Sequence, residues 1–204
     1  EAHQRLVLVR VLGLGTERVL NTARRHVYGP RYSPDGQSVV FVRDSGNSMT
    51  GSAWGRDAGL YVMPAAGGEP RKIADDGREP QFNADGSRVL FLTGGGLSKK
   101  LMSVGLHGEQ PREVLDLKYV DAVSVSPDGK QVAFTELFNA YVAPLPETGG
   151  SIALSKDTKA VPVTALTTQV GAYLHWSDAN SLHWMAGGKY VSRDVGATRD
   201  DGGV

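Results

Sequence analysis

The sequence predicts an all-β protein, and three observations predict it. A turn tetrapeptide returns along the chain as Ser33-Pro34-Asp35-Gly36, Asn83-Ala84-Asp85-Gly86, Ser126-Pro127-Asp128-Gly129 and the eroded Ser177-Asp178-Ala179-Asn180. Glycine is 26 of 204 residues, about 13 % against the ~7 % of average proteins, without collagen periodicity. No segment sustains a 3.6-residue apolar period. Four short strands, a to d in chain order, recur around each turn, and four-stranded units of this length are the pattern of propeller blades, which bury their two faces only by stacking on neighbours. The expected fold class is therefore a β-propeller built from four-stranded antiparallel blades, part of a larger propeller.

An aromatic or β-branched residue precedes each turn: Tyr32, Phe82, Val125 and Trp176. In the turn, Pro presets φ, Asp hydrogen-bonds nearby backbone, and Gly supplies the left-handed residue that opens the next strand. Asp35, Gly36, Asp85, Gly86, Asp128 and Gly129 are accordingly read as structural turn residues, and their spacing along the chain makes shared calcium ligation the weaker reading. The second strands are Val39–Val42, Val89–Leu92, Val132–Phe134 and Leu182–Trp184. The third are Gly59–Met63, Leu101–Val104, Ala140–Ala143 and Lys189–Val191. Glycine turns then lead to Arg71–Ile73, to Arg112–Val114 and, through a longer insert, to Val163–Leu166. Glu17–Leu20 reads as the last strand of a preceding blade rather than the start of a helix.

These units divide the chain into a partial blade (1–28, strands c and d), blades at 29–78, 79–119 and 120–169, a partial blade (170–194, strands a to c) and a disordered tail or linker (195–204). The blade count leaves three closures open: a piece of a larger parent, a small ring completed by the N-terminal strands, or two chains joined into one ring. The first is favoured. Open ends would expose strand edges and invite self-association.

At these residues the chain resembles a family. The Ser-Pro-Asp-Gly turn, the Leu60-Tyr61-Val62-Met63 strand and Gly67-Gly68-Glu69-Pro70-Arg71 are similar to the TolB-type, WD-like propeller repeat, over residues 6–193. The stretch Gly171 to Asp194 looks like the last blade of the N-terminal propeller of bacterial amidohydrolase fusions. The resemblance implies the fold. It also implies a periplasmic or secreted location and two functional settings, a binding scaffold or the accessory propeller of a hydrolase. The amidohydrolase His-x-His is absent, so no activity is carried over.

Composition excludes other classes. The 22 basic and 22 acidic side chains cancel, which argues against a nucleic-acid footprint. No apolar run is long enough for a membrane helix, so no membrane insertion is expected. Cysteine is absent, which removes disulfides and thiolate metal sites. The first residue is Glu1, with neither initiator Met nor signal peptide, so the chain reads as a processed or cut product.

Catalytic constellations are missing. There is no Gly-x-Ser-x-Gly, and Gly13-x-Gly15 lies between strands rather than before a helix. A four-residue turn at Ser177–Asn180 would set His183 opposite Leu174 and send His175 and His183 to opposite faces, so no metal and no cofactor are expected, and no enzyme within this segment. Strand alternation sorts the loops onto two faces. The b–c loops and d-to-a connections share the face where propellers bind partners, by fold analogy. Candidate binding residues there are Tyr28, Trp54, Arg56, Arg78, Glu79, Tyr119, Asp121 and Tyr173. Trp54 either anchors a partner or packs back on its own blade. The expected function is a non-catalytic propeller scaffold that binds a protein or peptide. The alternative is an accessory or gating propeller of a larger amidohydrolase or peptidase, whose covalently linked catalytic domain lies outside this chain.

Overall fold

In a computed structural model of the chain, the described residues are 6–8, 18–21, 26–44, 57–145, 150–168 and 171–195. Among them every regular element is a strand. In chain order these are β1 (Leu6–Leu8), β2 (Arg18–Asn21), β3 (His26–Tyr32), β4 (Ser38–Asp44), β5 (Gly59–Pro64), β6 (Arg71–Ala74), β7 (Arg78–Phe82), β8 (Arg88–Gly95) and β9 (Ser98–Gly105). They continue as β10 (Arg112–Lys118), β11 (Val120–Val125), β12 (Gln131–Glu136), β13 (Asn139–Pro144), β14 (Ile152–Leu154), β15 (Thr164–Ala165), β16 (Ala172–Trp176), β17 (Ser181–Ala186) and β18 (Lys189–Asp194). The stretch near residue 17 forms a strand and not a helix: it is β2, which pairs antiparallel with β1.

The blade sheets run in sequence order. One is β3-β4-β5-β6, one β7-β8-β9-β10, one β11-β12-β13-β15, and the last is the three-stranded β16-β17-β18. The insert before β15 adds a strand that the sequence pattern does not predict. β14 leaves its own blade and pairs in parallel with β10, Leu115 to Ile152 and Leu117 to Leu154.

The chain divides into two compact units, residues 1–93 with 102–112, and residues 94–101 with 113–204. The first unit buries Val40, Val42, Leu60, Val62, Ile73, Phe82, Val89, Phe91 and Val104 in one cluster. Val40 and Val42, Leu60 and Val62, and Val89 and Phe91 are alternate residues of β4, β5 and β8, as a two-residue period requires when one face of a strand packs on the next blade. The other face of β4 and β5 carries Val39, Phe41, Tyr61 and Met63, all buried, with Phe41 stacked on Tyr61 at 6.0 Å. In the second unit, Ala133 and Val142 of one blade pack with Leu182 and Trp184 of the next.

The a–b turns repeat one hydrogen-bond scheme. Ser33 Oγ donates to Asp35 Oδ1 at 2.5 Å and accepts from Ser38 N at 2.9 Å, while Gln37 N donates to Asp35 Oδ1 at 3.0 Å. Ser126, Asp128, Gln131 and Lys130 reproduce this in the same order at 2.6, 2.9 and 3.1 Å. In the second blade Asn83 replaces serine and accepts from Arg88 N at 2.8 Å. Gly36, Gly86 and Gly129 close these turns at φ of 70°, 73° and 74°. Ser126 is buried. Replacing it with alanine removes both bonds and leaves the partly buried Gln131 N–H without its acceptor. Urea unfolding should show a loss of about 1–2 kcal/mol, whereas truncation of the exposed Gln37 should leave the midpoint unmoved.

The same bonds set a pH dependence. Hydrogen bonds from Ser33 and Gln37 hold the Asp35 carboxyl below the ordinary carboxylate range. Ser87 does the same for Asp85, and the backbone of Asn180 with Ser181 for Asp178. At Asp128 burial alone would raise the carboxyl, but the bonds from Ser126 and Lys130 still hold it down. A carboxyl lowered by folding stabilises the fold above its unfolded pKa, and that contribution disappears as pH falls through the folded value. Stability should therefore be flat near neutrality and decline below about pH 4. Asp35→Asn together with Asp85→Asn should flatten that decline when followed by circular dichroism.

Candidate ligand-binding face

The first strand of each blade sheet carries a bulge. The β3–β4 ladder shifts register between Tyr28 and Arg31, β7–β8 between Arg78 and Gln81, β11–β12 between Val120 and Val123, and β16–β17 between Ala172 and His175. Bulges bend a strand and re-aim its side chains. Gly29 (φ 61°), Glu79 (φ 51°) and Tyr173 (φ 57°) occupy the same frame, four residues before Ser33, Asn83 and Ser177. Pro30 and Pro80 come directly after the first two, and proline belongs in a sheet only at such irregular positions.

All six described candidates from the sequence lie at these bulges or at the connection beside them. Tyr28 precedes the bulge of β3, Arg78 and Glu79 form that of β7, Asp121 lies in that of β11, and Tyr173 lies in that of β16. Tyr119 is the single residue between β10 and β11. Trp54 and Arg56 lie outside the described residues.

In the first unit the groups form one electrostatic neighbourhood. Burial pushes the Tyr28 hydroxyl above the ordinary tyrosine value; Asp44 and Asp76 push it further, and Arg78 opposes them.

The second unit presents apolar surface. Tyr119 is 44 % exposed, Leu137 59 %, Phe138 71 % and Tyr173 81 %. All four have positive φ, at 62°, 48°, 70° and 57°. Leu137 and Phe138 make the two-residue turn between β12 and β13, where Glu136 pairs with Asn139. A turn of that length with positive φ at both positions favours Asn-Gly, not two bulky apolar residues. Gly171 N donates to Phe138 O at 2.8 Å, which brings the connection before Tyr173 against this turn. Tyr119 N donates to Leu97 O at 2.9 Å, and Leu97, at the β8–β9 turn, is itself exposed. Lys99 Nζ donates to Val120 O at 2.6 Å and Asp121 O at 3.3 Å, and the Lys118 ammonium sits 5.3 Å from the Tyr119 ring centre. Sequence reasoning misses Leu97, Lys99, Leu137 and Phe138. A signal is present in Leu137-Phe138, since an apolar pair in a two-residue hairpin turn contradicts turn chemistry.

The histidine register departs from expectation. Ser177 N donates to Ser181 O, one residue nearer than Ser33 N to Ser38 O in the first blade. Trp176 therefore pairs with Leu182 and His175 with His183, which puts both histidines on one face. A one-residue change in a turn reverses every side chain beyond it. Among the described residues no group of three or more His, Cys, Asp or Glu is placed to hold a metal ion.

No family model matches the chain, and no curated protein matches it. Solved structures do. TolB from Acinetobacter baumannii aligns with 90 % of this chain and 44 % of its own at 18 % identity, with a TM-score of 0.60. The fold is a TolB-like β-propeller. Oligogalacturonate lyase from Vibrio parahaemolyticus aligns with this TolB-like propeller at 13 % identity and a TM-score of 0.59, over 87 % of this chain and 50 % of its own. A chain of a nidogen/laminin complex aligns at 11 % identity and a TM-score of 0.55, over 91 % and 66 %. The chain thus spans about half the length of the TolB and lyase structures it matches.

Proposed function

We propose that this TolB-like propeller is a non-catalytic scaffold that binds an extended peptide or protein segment through its b–c turns and d-to-a connections. One observation carries the reading: Tyr119, Leu137, Phe138 and Tyr173 hold large apolar side chains in solvent on left-handed backbone. Such conformations cost of order 1–3 kcal/mol each, and they cluster where strain serves function. Clustered exposed apolar side chains mark interaction surfaces, and aromatic anchors dominate their energetics. Lys99, Lys118 and Asp121 supply a polar rim. The propeller belongs to a larger assembly of blades, a reading supported by its three-stranded last sheet among the described residues and by its share of the solved neighbours' length. An extracytoplasmic setting accords with the likeness to TolB.

The test is selection of a random dodecapeptide phage library on the immobilised chain, followed by fluorescence anisotropy with a recovered peptide. Phe138→Ser with Tyr173→Ser should weaken that peptide about tenfold or more, since truncated anchors cost upwards of ~1–2 kcal/mol. Gln37→Ala, on the opposite turns, should leave affinity unchanged. Peptides that bind the double variant as tightly as the parent would overturn the reading, and so would a selection that recovers nothing above background.

A further inference from the structure

The insert between β13 and β15 starts and ends on its own blade: Leu145 N donates to Lys130 O at 2.8 Å, and Thr164 pairs with Val142. In between, β14 crosses to the outer edge of β10 and pairs there in parallel over three residues. The β7–β10 sheet thereby gains a fifth strand, while the other blade sheets stop at four or three among the described residues.

The hold on that edge is slight. Among the described residues of the insert, Leu145 and 150–163, only Leu154 is buried. Parallel ladders are the weaker kind, and this one is short. Two polar fasteners flank it. Ser151 Oγ donates to Glu113 Oε1 at 2.7 Å, and Lys156 N donates to Glu136 Oε2 at 2.6 Å. Beyond them, residues 156–163 curl around an open space of about 510 Å3. Both ends of the insert are tied to the other blade, so β14 can lift while β10 keeps β9 and β13 keeps β15. Openings that uncover so little apolar surface belong to the low-stability end of a fold. What they expose is a strand edge with open N–H and C=O groups, a template for another chain.

We propose that the outer edge of β10 is a strand-acceptor site with β14 as its built-in occupant, and that an extended segment of a partner protein displaces β14 and takes the same parallel register. Strand addition draws affinity from main-chain bonds and specificity from alternate side chains. The pattern it selects is written in β14. Leu115 and Leu117 are buried and face Ile152 and Leu154 across the ladder, whereas Asp116 and Ala153 are exposed. The partner segment therefore carries two apolar residues around a small one, with leucine or its like at the second apolar position. A hydroxyl residue precedes them. Glu113 engages Lys100 through Oε2 at 2.5 Å and keeps Oε1 for that hydroxyl, as Ser151 shows. This edge is separate from the exposed aromatic connections and does not rest on the reading given to them.

The test uses the full chain and a fluorescein-labelled peptide with the sequence of residues 150–157, followed by anisotropy. Leu154→Asp in the chain should free the edge, and the peptide should bind that variant in the micromolar range. The parent should bind it about tenfold or more weakly, because only its open fraction accepts a strand. Asp116→Cys with Ala153→Cys joins two exposed, directly paired residues by a disulfide and fixes β14 in place. The locked chain should not bind, and reductant should restore the parent's affinity. The same peptide carrying Leu154→Asp should bind none of these chains. Both blades keep their own strands, so the Leu154→Asp chain should retain the parent's circular dichroism. Absence of saturable binding to that folded variant below the millimolar range would overturn the proposal. The locked and reduced chains decide independently of that variant: identical anisotropy at high peptide concentration would overturn it as well. So would a parent dimer in sedimentation velocity that the disulfide abolishes, since the edge would then belong to the insert of a second copy.

Discussion

Replacing Leu137-Phe138 by Asn-Gly is expected to make the protein more stable and a poorer binder. Both residues hold positive φ in a two-residue turn, at 48° and 70°. Asn and Gly adopt that backbone at little cost. Both side chains are mostly in solvent, so little burial is lost with them. Relief of strain should raise stability by about 1–2 kcal/mol, or roughly 2–8 °C in melting temperature for a chain of this size. Affinity for a selected peptide should fall about tenfold in the same variant. The pairing of those two outcomes separates a functional surface from a packing accident: a structural turn would gain stability and bind as before. Calorimetry and anisotropy on one preparation read both.

Gly59→Ala is expected to have the largest effect on folding. Gly59 opens β5 at φ 139°, a conformation that other residues rarely adopt. A Cβ there would run into the backbone oxygen of Ala74 on the neighbouring strand β6 and come within 2.8 Å of Lys72 Cε. The lysine can swing aside, but the ladder oxygen cannot move without parting β5 from β6. Strain and overpacking together should cost about 3 kcal/mol or more. Urea unfolding would read this as a lower midpoint at unchanged slope. A loss under about 1 kcal/mol would mean that the ladder gives way more easily than its register implies. Gly36→Ala provides the contrast. It has a positive φ of 70° but meets nothing within 4 Å, so it should suffer the strain alone.

Particular residues explain what is legible in the sequence. The Ser-Pro-Asp-Gly turns announce themselves because each side chain has one local task. Asp35 and Asp128 accept from backbone two residues on, and Gly36 and Gly129 take the left-handed conformation. The flanking strands are legible as short apolar runs bounded by turns, as in Val39–Val42, which is buried on both faces. β14 is not, because its partner β10 belongs to another blade and no turn chemistry in the insert records a parallel pairing. The His175–His183 pairing escapes the sequence for a different reason. The sequence suggests a four-residue turn that sets Trp176 opposite Ser181, but Trp176 pairs with Leu182 across five residues, and that one-residue shift reverses the facing of β17 against β16. For the candidate face, charged and aromatic residues near the blade connections are legible. Leu137 and Phe138 are not, since apolar residues in a turn break the local rule by which turns are recognised.

Chemical-shift mapping with a library-selected peptide tests the central claim most directly. Amide resonances should shift at Leu97, Tyr119, Phe138 and Tyr173 as the peptide is added, while Asp35, Asp128 and Asp178 in the a–b turns stay still. Shifts concentrated at those aspartyl turns, with the aromatic connections unmoved, would contradict the account.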